Sequence, residues 1–231
     1  MMMVRSDEAG TIKSFADMKG KTIGVTALGS SSSFLAQYLA EAGGQKSGDY
    51  SLLSVGAGTT LIAAMKQKRV DVAWTTEPTT SALLAMGEAR PLVDMTTAEG
   101  SKKALGGLYP AASLYVQSGW LKTHKAEAAK LAQAFVRTLQ FIHGHTAEQI
   151  ADKVPADYYG GNKAMYVKAM SASIAMFSPD GRMPEGGPET ALKVLKAFSP
   201  SLKDGKDKTI DLAKTYTNEF VDQADKALGI K

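Results

Sequence analysis

Between Lys21 and Val93, short β-branched runs alternate with stretches of helical period, and this alternation constrains the fold more than any other feature of the chain. Lys21 to Thr26 (KTIGVT), Ser51 to Val55, Val70 to Thr75 and Pro91 to Val93 each read as a strand. After the first, Phe34, Leu35, Tyr38 and Leu39 mark a helix that Gly43-Gly44 stops. After the second, the turn Gly56 to Gly58 leads into a helix over Thr59 to Gln67, with Leu61, Ile62 and Met65 on one face. Pro78 stands near the first turn of a third helix, where its missing N–H costs little, and Gly87 ends it. Strands separated by helices of this length pair in parallel, so the pattern implies βαβ units and a mainly parallel sheet.

Beyond Gly106-Gly107, Leu108 to Val116 reads as a crossover strand, and from Ser118 the character changes to five helices with almost no strand. Leu131, Phe135, Leu139 and Ile142 recur at three and four, as do Tyr166, Met170, Ile174 and Phe177; Leu192, Leu195 and Phe198 recur at three, and Leu212, Tyr216 and Phe220 at four. Such stripes require a surface to cover. Pro155, the turn Ser178-Pro179-Asp180-Gly181, Pro184 to Pro188 and the polar loop Pro200 to Lys208 punctuate them. The expected organisation is an α/β lobe with its crossover strand over residues 1–117 and a helical part over 118–231.

Composition excludes several classes of function. The 231 residues are 44% apolar and 22% charged, enough for a substantial core. The excess of 27 basic over 23 acidic residues is scattered rather than clustered, which argues against a nucleic-acid footprint. With no cysteine, the chain has no thiol nucleophile and no disulfide. No apolar run approaches the ~20 residues of a membrane span, and Met1 to Gly10 has no apolar segment of the secretion-signal kind. His143 and His145, two apart, do not share a helical face, so no metal site is expected; nor does any motif pair a nucleophile with a base.

In an open parallel sheet a ligand lies beyond the carboxyl ends of the strands, where the strand order reverses. An order of 2-1-3 sets Gly29 to Ser33 beside Thr75-Thr76-Glu77-Pro78. Either Ser30 or Ser31 caps the first helix, but four consecutive serines exceed what a cap requires. Hydroxyls, backbone N–H groups and a helix dipole together suit a small anion. Glu77 has two readings, a first-turn carboxylate complementing its own helix or an acceptor for a ligand amine or ring N–H. Trp74 belongs to the core or floors a pocket, and Tyr109 and Tyr115 belong to the core or to the cleft.

Several stretches together resemble the nitrate/sulfonate/taurine-type substrate-binding proteins of ABC transporters. They are Ser14 to Val25 (SFADMKGKTIGV), Gly29-Ser30-Ser31, Val55-Gly56-Ala57-Gly58, Asp71-Val72 and Glu77-Pro78, then Ser178 to Gly181, Met183-Pro184-Glu185 and Asp211 to Phe220. The resemblance implies a type 2 periplasmic-binding-protein-like α/β fold, one complete α/β lobe plus a helical C-terminal half. It further implies a single-copy periplasmic protein, without cofactor, that captures a small organic solute such as a sulfonate and delivers it to an ABC permease. Carried over by position, Ser30, Ser31 and Ser32 would contact the anion, Thr76 and Glu77 would form the opposite wall, and the strand around Tyr109 and Ala111 would line the hinge side. Family members usually carry a first-lobe segment before the Asp-Met-Lys-Gly-Lys stretch, so the helices after Ser118 would pack on a lobe that these residues do not supply. The LysR-type effector domain and the thiamine-precursor synthases share related folds. The helical second half weighs against the former, and the lack of cysteine against the latter.

Overall fold

The computed structural model describes residues 1–159, 161–202 and 209–230. Five strands, β1 (Met2–Arg5), β2 (Thr22–Val25), β3 (Ser51–Ser54), β4 (Val72–Trp74) and β5 (Ala89–Val93), form one sheet in the order β3-β2-β4-β1-β5. Ten α-helices accompany them among the described residues. The first four are α1 (Ser31–Ala42), α2 (Thr59–Lys66), α3 (Thr79–Ala85) and α4 (Ala98–Leu105). The others are α5 (Ser118–Thr123), α6 (Lys125–Gly144), α7 (Ala147–Ala151), α8 (Lys163–Ser173), α9 (Gly187–Phe198) and α10 (Glu219–Leu228).

β2 pairs in parallel with both β3 and β4, which gives the expected 2-1-3 order. β1 lies between β4 and β5 and runs against both. That strand is absent from the sequence reading, because Met-Met-Met-Val shows neither alternation nor a flanking turn. Its alternation is real but hidden by two buried faces: Met2 and Val4 enter one core with Ile23, Val25 and Val72, whereas Met3 enters the other with Ala73. α1 covers the first face with Leu35, Ala36 and Leu39, joined by Leu105 of α4 and Val194 of α9. α2 and α3 cover the second with Leu61, Met65 and Leu83.

Two close approaches fix these layers. A Cβ on Gly24 would stand 3.1 Å from Val55 Cγ2 and 3.2 Å from Val70 Cγ1, so the middle of β2 has no room for a side chain. A Cβ on Gly43 would meet the Phe15 carbonyl carbon at 2.6 Å, so the end of α1 lies directly on the backbone before β2. At the far end of the sheet Asp71 takes the Thr22 amide at 2.8 Å and faces Arg5 at 3.4 Å, tying the starts of β2 and β4 to the end of β1. Arg5 is buried and also contacts Asp7 and Glu8, which in turn bind Lys68 and Lys21.

The expected strand over Leu108 to Val116 is corrected. Among the described residues no backbone hydrogen bond engages the segment and no strand pairs with it. A strand needs a partner, and the sheet order places none of its five strands beside this segment. Among the described residues the helical half holds six α-helices rather than five. The stripe Leu212, Tyr216, Phe220 is broken, since Leu212 lies in a short 3-10 turn and α10 begins only at Glu219. α8 likewise stops at Ser173, before Ile174 and Phe177. Residues 203–208 of the expected polar loop lie outside the described residues. α6 packs chiefly on α10, with Ala128, Ala132 and Phe220 as its small core.

Replacing Gly24 with Leu should cost about 3 kcal/mol by overpacking the face under α2, read as a lower urea midpoint at unchanged slope. The Lys68 ammonium holds the Asp7 carboxyl below its usual range, and the Lys21 ammonium does the same for Glu8. Their stabilisation is present above the ordinary carboxylate pKa of about 4 and is lost as pH falls below it. Lys21→Met should therefore flatten the acid limb of a stability-versus-pH curve while lowering its plateau.

Candidate functional site

The register Ile23 to Val72 and Gly24 to Ala73 places the carboxyl ends of β2 and β4 side by side. The turn through Ser30 and the turn through Glu77 therefore leave the same edge as neighbours. The turn after β3 is drawn to this edge too, because the Gly58 amide donates to Thr79 Oγ1 at 3.1 Å at the start of α3. All three rims are carried by the paired layers beneath them.

Within the serine turn the hydroxyls divide the work. Ser30 is the N-cap of α1, accepting from the Ser33 amide at a long 3.4 Å. Its Oγ also donates to the Ala27 carbonyl at 2.7 Å. Ser32 turns inward and is buried; it takes the Thr26 amide at 3.0 Å and meets Thr26 Oγ1 and Ser30 Oγ, each at 2.8 Å. Ser33 is buried as well. Ser31 alone of the four is exposed, and among the described residues its hydroxyl has no partner. The cluster thus rigidifies the turn from inside and leaves Ser31 and the opening amides of α1 for an incoming group.

On the neighbouring turn, Thr76 is exposed and Glu77 half-buried. Glu77 Oε2 accepts the Ser81 amide at 3.0 Å, so the carboxylate serves the first turn of α3 with one oxygen. Behind it, Thr75 and Thr80 share a buried hydroxyl contact at 2.8 Å that no periodicity could have revealed. Trp74 is partly buried against the core beneath α1.

Tyr109 and Ala111 are positioned differently. Tyr109 packs at the margin of the core under α1, while Ala111 is exposed. Pro110 between them abuts the start of α9, where a Cβ on Gly187 would come within 3.3 Å of it. No hydrogen bond among the described residues links this segment to the serine or Thr-Glu turns. The three histidines serve the helical half: His124 stacks on Trp120, His145 stacks on Phe141, and His143 meets the Ser178 carbonyl at 3.1 Å.

Two concavities lie elsewhere. A groove of about 660 Å³ separates the end of α4 from the start of α9, with Lys102, Lys193, Glu185 and Glu189 along it. A smaller one, of about 270 Å³, sits by Arg5, Asp7, Lys66, Lys68 and Glu88 at the far end of the sheet. Both carry charges of both signs; in the smaller one Arg5 and Lys68 pair with Asp7 and Lys66 with Glu88, and neither touches the serine turn. No described helix is long and apolar enough to cross a membrane.

Ser30→Ala should cost about 1 kcal/mol through loss of the cap and of the hydroxyl cluster, whereas Ser31→Ala should leave the melting temperature unchanged. A calorimetric scan of the two variants separates the structural serine from the available one.

Comparison with curated proteins yields no match. Among solved structures, one from Bordetella bronchiseptica is 35% identical over 99% of this chain and 71% of its own, with a TM-score of 0.87. The alkanesulfonate-binding protein SsuA of Xanthomonas axonopodis pv. citri, bound to MOPS, is 18% identical over 85% of this chain, with a TM-score of 0.56. A sulfonate ABC transporter's periplasmic SsuA from Methylobacillus flagellatus is 16% identical over the whole chain, with a TM-score of 0.67. The chain spans 62% and 66% of the length of these two SsuA proteins. The desulfurization enzyme DSZB shares the fold at 16% identity, with a TM-score of 0.59 against its complex with biphenyl-2-sulfinic acid. The α/β architecture is therefore that of periplasmic sulfonate-binding proteins. The profile of the NMT1/THI5-like proteins matches residues 1–149, and with the Bordetella likeness it establishes that this chain belongs to the NMT1/THI5-like family.

Proposed function

We propose that this chain is the solute-binding component of an ABC importer, taking a small anionic or zwitterionic organic solute, with sulfonates foremost, at the edge formed by the serine and Thr-Glu turns. The observation that carries this reading is the pairing of β2 with β4, which brings a helix N-terminus with a free serine beside a Thr-Glu turn at one sheet edge. Ser31 and the first amides of α1 would receive the anionic oxygens, and the second oxygen of Glu77 would accept from a ligand amine. Tyr109 and Ala111 would approach only when a second lobe closes over the edge. In this reading residues 1–117 form one lobe and the helices of 118–231 complete the other. The site of action is the periplasm, and the partner is a membrane permease.

Two solved relatives of the same fold are sulfonate-binding proteins, one of them holding a sulfonate buffer, which supports this solute class. DSZB supports an enzymatic alternative on the same fold. The hydroxyls at this edge argue for binding instead. They bond to one another and to backbone groups, and no histidine stands beside them to act as a base.

Spanning 62% and 66% of the two SsuA chains, these 231 residues would bury less of a ligand, so their affinity should be weak, with Kd of about 1 mM or above. At a ligand concentration near 10 Kd the folded state gains about 1.4 kcal/mol. MOPS, taurine and simple alkanesulfonates should therefore raise the melting temperature by a few degrees, and Ser31→Glu, which sets a negative charge at the anion position, should abolish the shift. If no sulfonate, carboxylate or amino acid moves the transition, the solute-binding reading fails.

A further inference from the structure

The helices after Ser118 divide by what they pack on. α9 lies on α1, where its Val194 enters the core with Leu35, Ala36 and Leu39, and α8 lies on α3. α1 issues from the serine turn and α3 from the Thr-Glu turn, so the helix behind each turn carries one of them. α6 and α10 instead pack chiefly on each other, around Ala128, Ala132 and Phe220. That small core shares no member with either core of the sheet.

The connection from α8 to α9 joins the two groups. Its turn, Ser178 to Met183, is set from within, since Ser178 Oγ accepts the Gly181 amide at 2.8 Å and Asp180 accepts the Arg182 amide at 2.9 Å. On one side it meets α6. A Cβ on Gly181 would stand 3.3 Å from Leu139 Cδ1, and His143 Nε2 contacts the Ser178 carbonyl at 3.1 Å. On the other side it holds α10: Arg182 Nη1 donates to Asp222 and Nη2 to Asp225, each at 2.6 Å. The Met183 amide donates to Asn218, the N-cap of α10, at 3.1 Å. Asp222 and Asp225 stand three apart and so share a helix face, where a guanidinium fork reaches both carboxylates at once.

We propose that Arg182 is a clasp that fixes the α6–α10 pair to the body carrying the serine and Thr-Glu turns. When it opens, α6 and α10 part from that body as one unit, while α8 and α9 stay with the sheet. The division at residue 117 is thereby refined, because only some of the later helices are free to move apart from the α/β lobe. The clasp is open to water, the Arg182 and Asp222 side chains being 36% and 62% exposed, so dissolved ions screen it. Ionic strength therefore sets how firmly the pair is held. Nothing in this device depends on the solute reading.

Amide exchange of the 231-residue chain, read by mass spectrometry, tests the clasp. At low salt the amides of α6 and α10 should exchange through a common opening, and those of α8 and α9 with the sheet. Arg182→Met should speed exchange in α6 and α10 by about fivefold or more and leave the sheet, α8 and α9 unchanged, and Arg182→Lys should recover part of the protection. Adding Asp222→Asn and Asp225→Asn to Arg182→Met should change little further, because the contact is already broken. Salt at about 1 M should bring the wild type to the level of Arg182→Met, a comparison that stands on the wild type and on Asp222→Asn if Arg182→Met does not fold. Equal acceleration in the sheet, α8 and α9 overturns the proposal, since Arg182 would then serve general stability alone. Exchange of α6 and α10 that ignores both salt and the variants overturns it as well. Sulfonate-induced thermal shifts report on Ser31 and should survive Arg182→Lys, so either idea can fail without the other.

Discussion

The parallel pairing of β2 with β4 is the contact on which the rest of the structure depends. It requires a glycine at the middle of β2, because the second face brings Val55 and Val70 within about 3 Å of where a side chain would begin. It also requires Asp71, whose carboxylate takes the Thr22 amide and so sets the start of one strand against the other. From that register the neighbouring tips follow, and from the tips follow the serine and Thr-Glu turns at one edge. The opposite edge carries the ion pairs of Arg5. Framework chemistry and candidate binding chemistry are thus kept at separate ends of the same strands.

Burial is distributed unevenly over this frame. The sheet is covered on both faces by helices whose large apolar residues are almost wholly inaccessible. The helical half is tied to it through α9 on α1 and α8 on α3, but its longest helix leans mainly on α10. Free energy from apolar burial therefore concentrates in residues 1–105, and α6 owes its regularity more to the helix formers along its length than to the surface it covers.

Much of the frame was legible in the sequence. The parallel strands β2, β3 and β4, their 2-1-3 order and a serine cap at Ser30 or Ser31 could be read from period, punctuation and hydroxyl spacing, because each is a local signal. β1 was not legible: a strand buried on both faces reads as a bare apolar run, and Met-Met-Met-Val is too short a run to stand out. The segment Leu108 to Val116 had the opposite fault. Its β-propensity is plain, but propensity does not supply a partner, and without one it stays unpaired. At the candidate site the sequence grouped the serines yet could not separate their duties. Only the helical phase and the Thr26 contacts show that Ser32 points inward and Ser31 outward. Glu77 engages its own helix, as a first-turn carboxylate should, and that bond leaves its other oxygen unassigned.

The placement of β1 has a consequence for how the chain reaches this state. Met2 aligns with Trp74 on one side and Val93 on the other, so the strand bridges neighbours some 70 and 90 residues away that do not bond to each other. Until residue 93 has been made and β4 and β5 have taken up their positions, Met2–Arg5 has nowhere to dock. Without β1 the sheet would end at β4, and β5, whose one strand partner is β1, would have none. Closure of so long a loop is slow, which makes Met2–Arg5 a late-arriving keystone between β4 and β5.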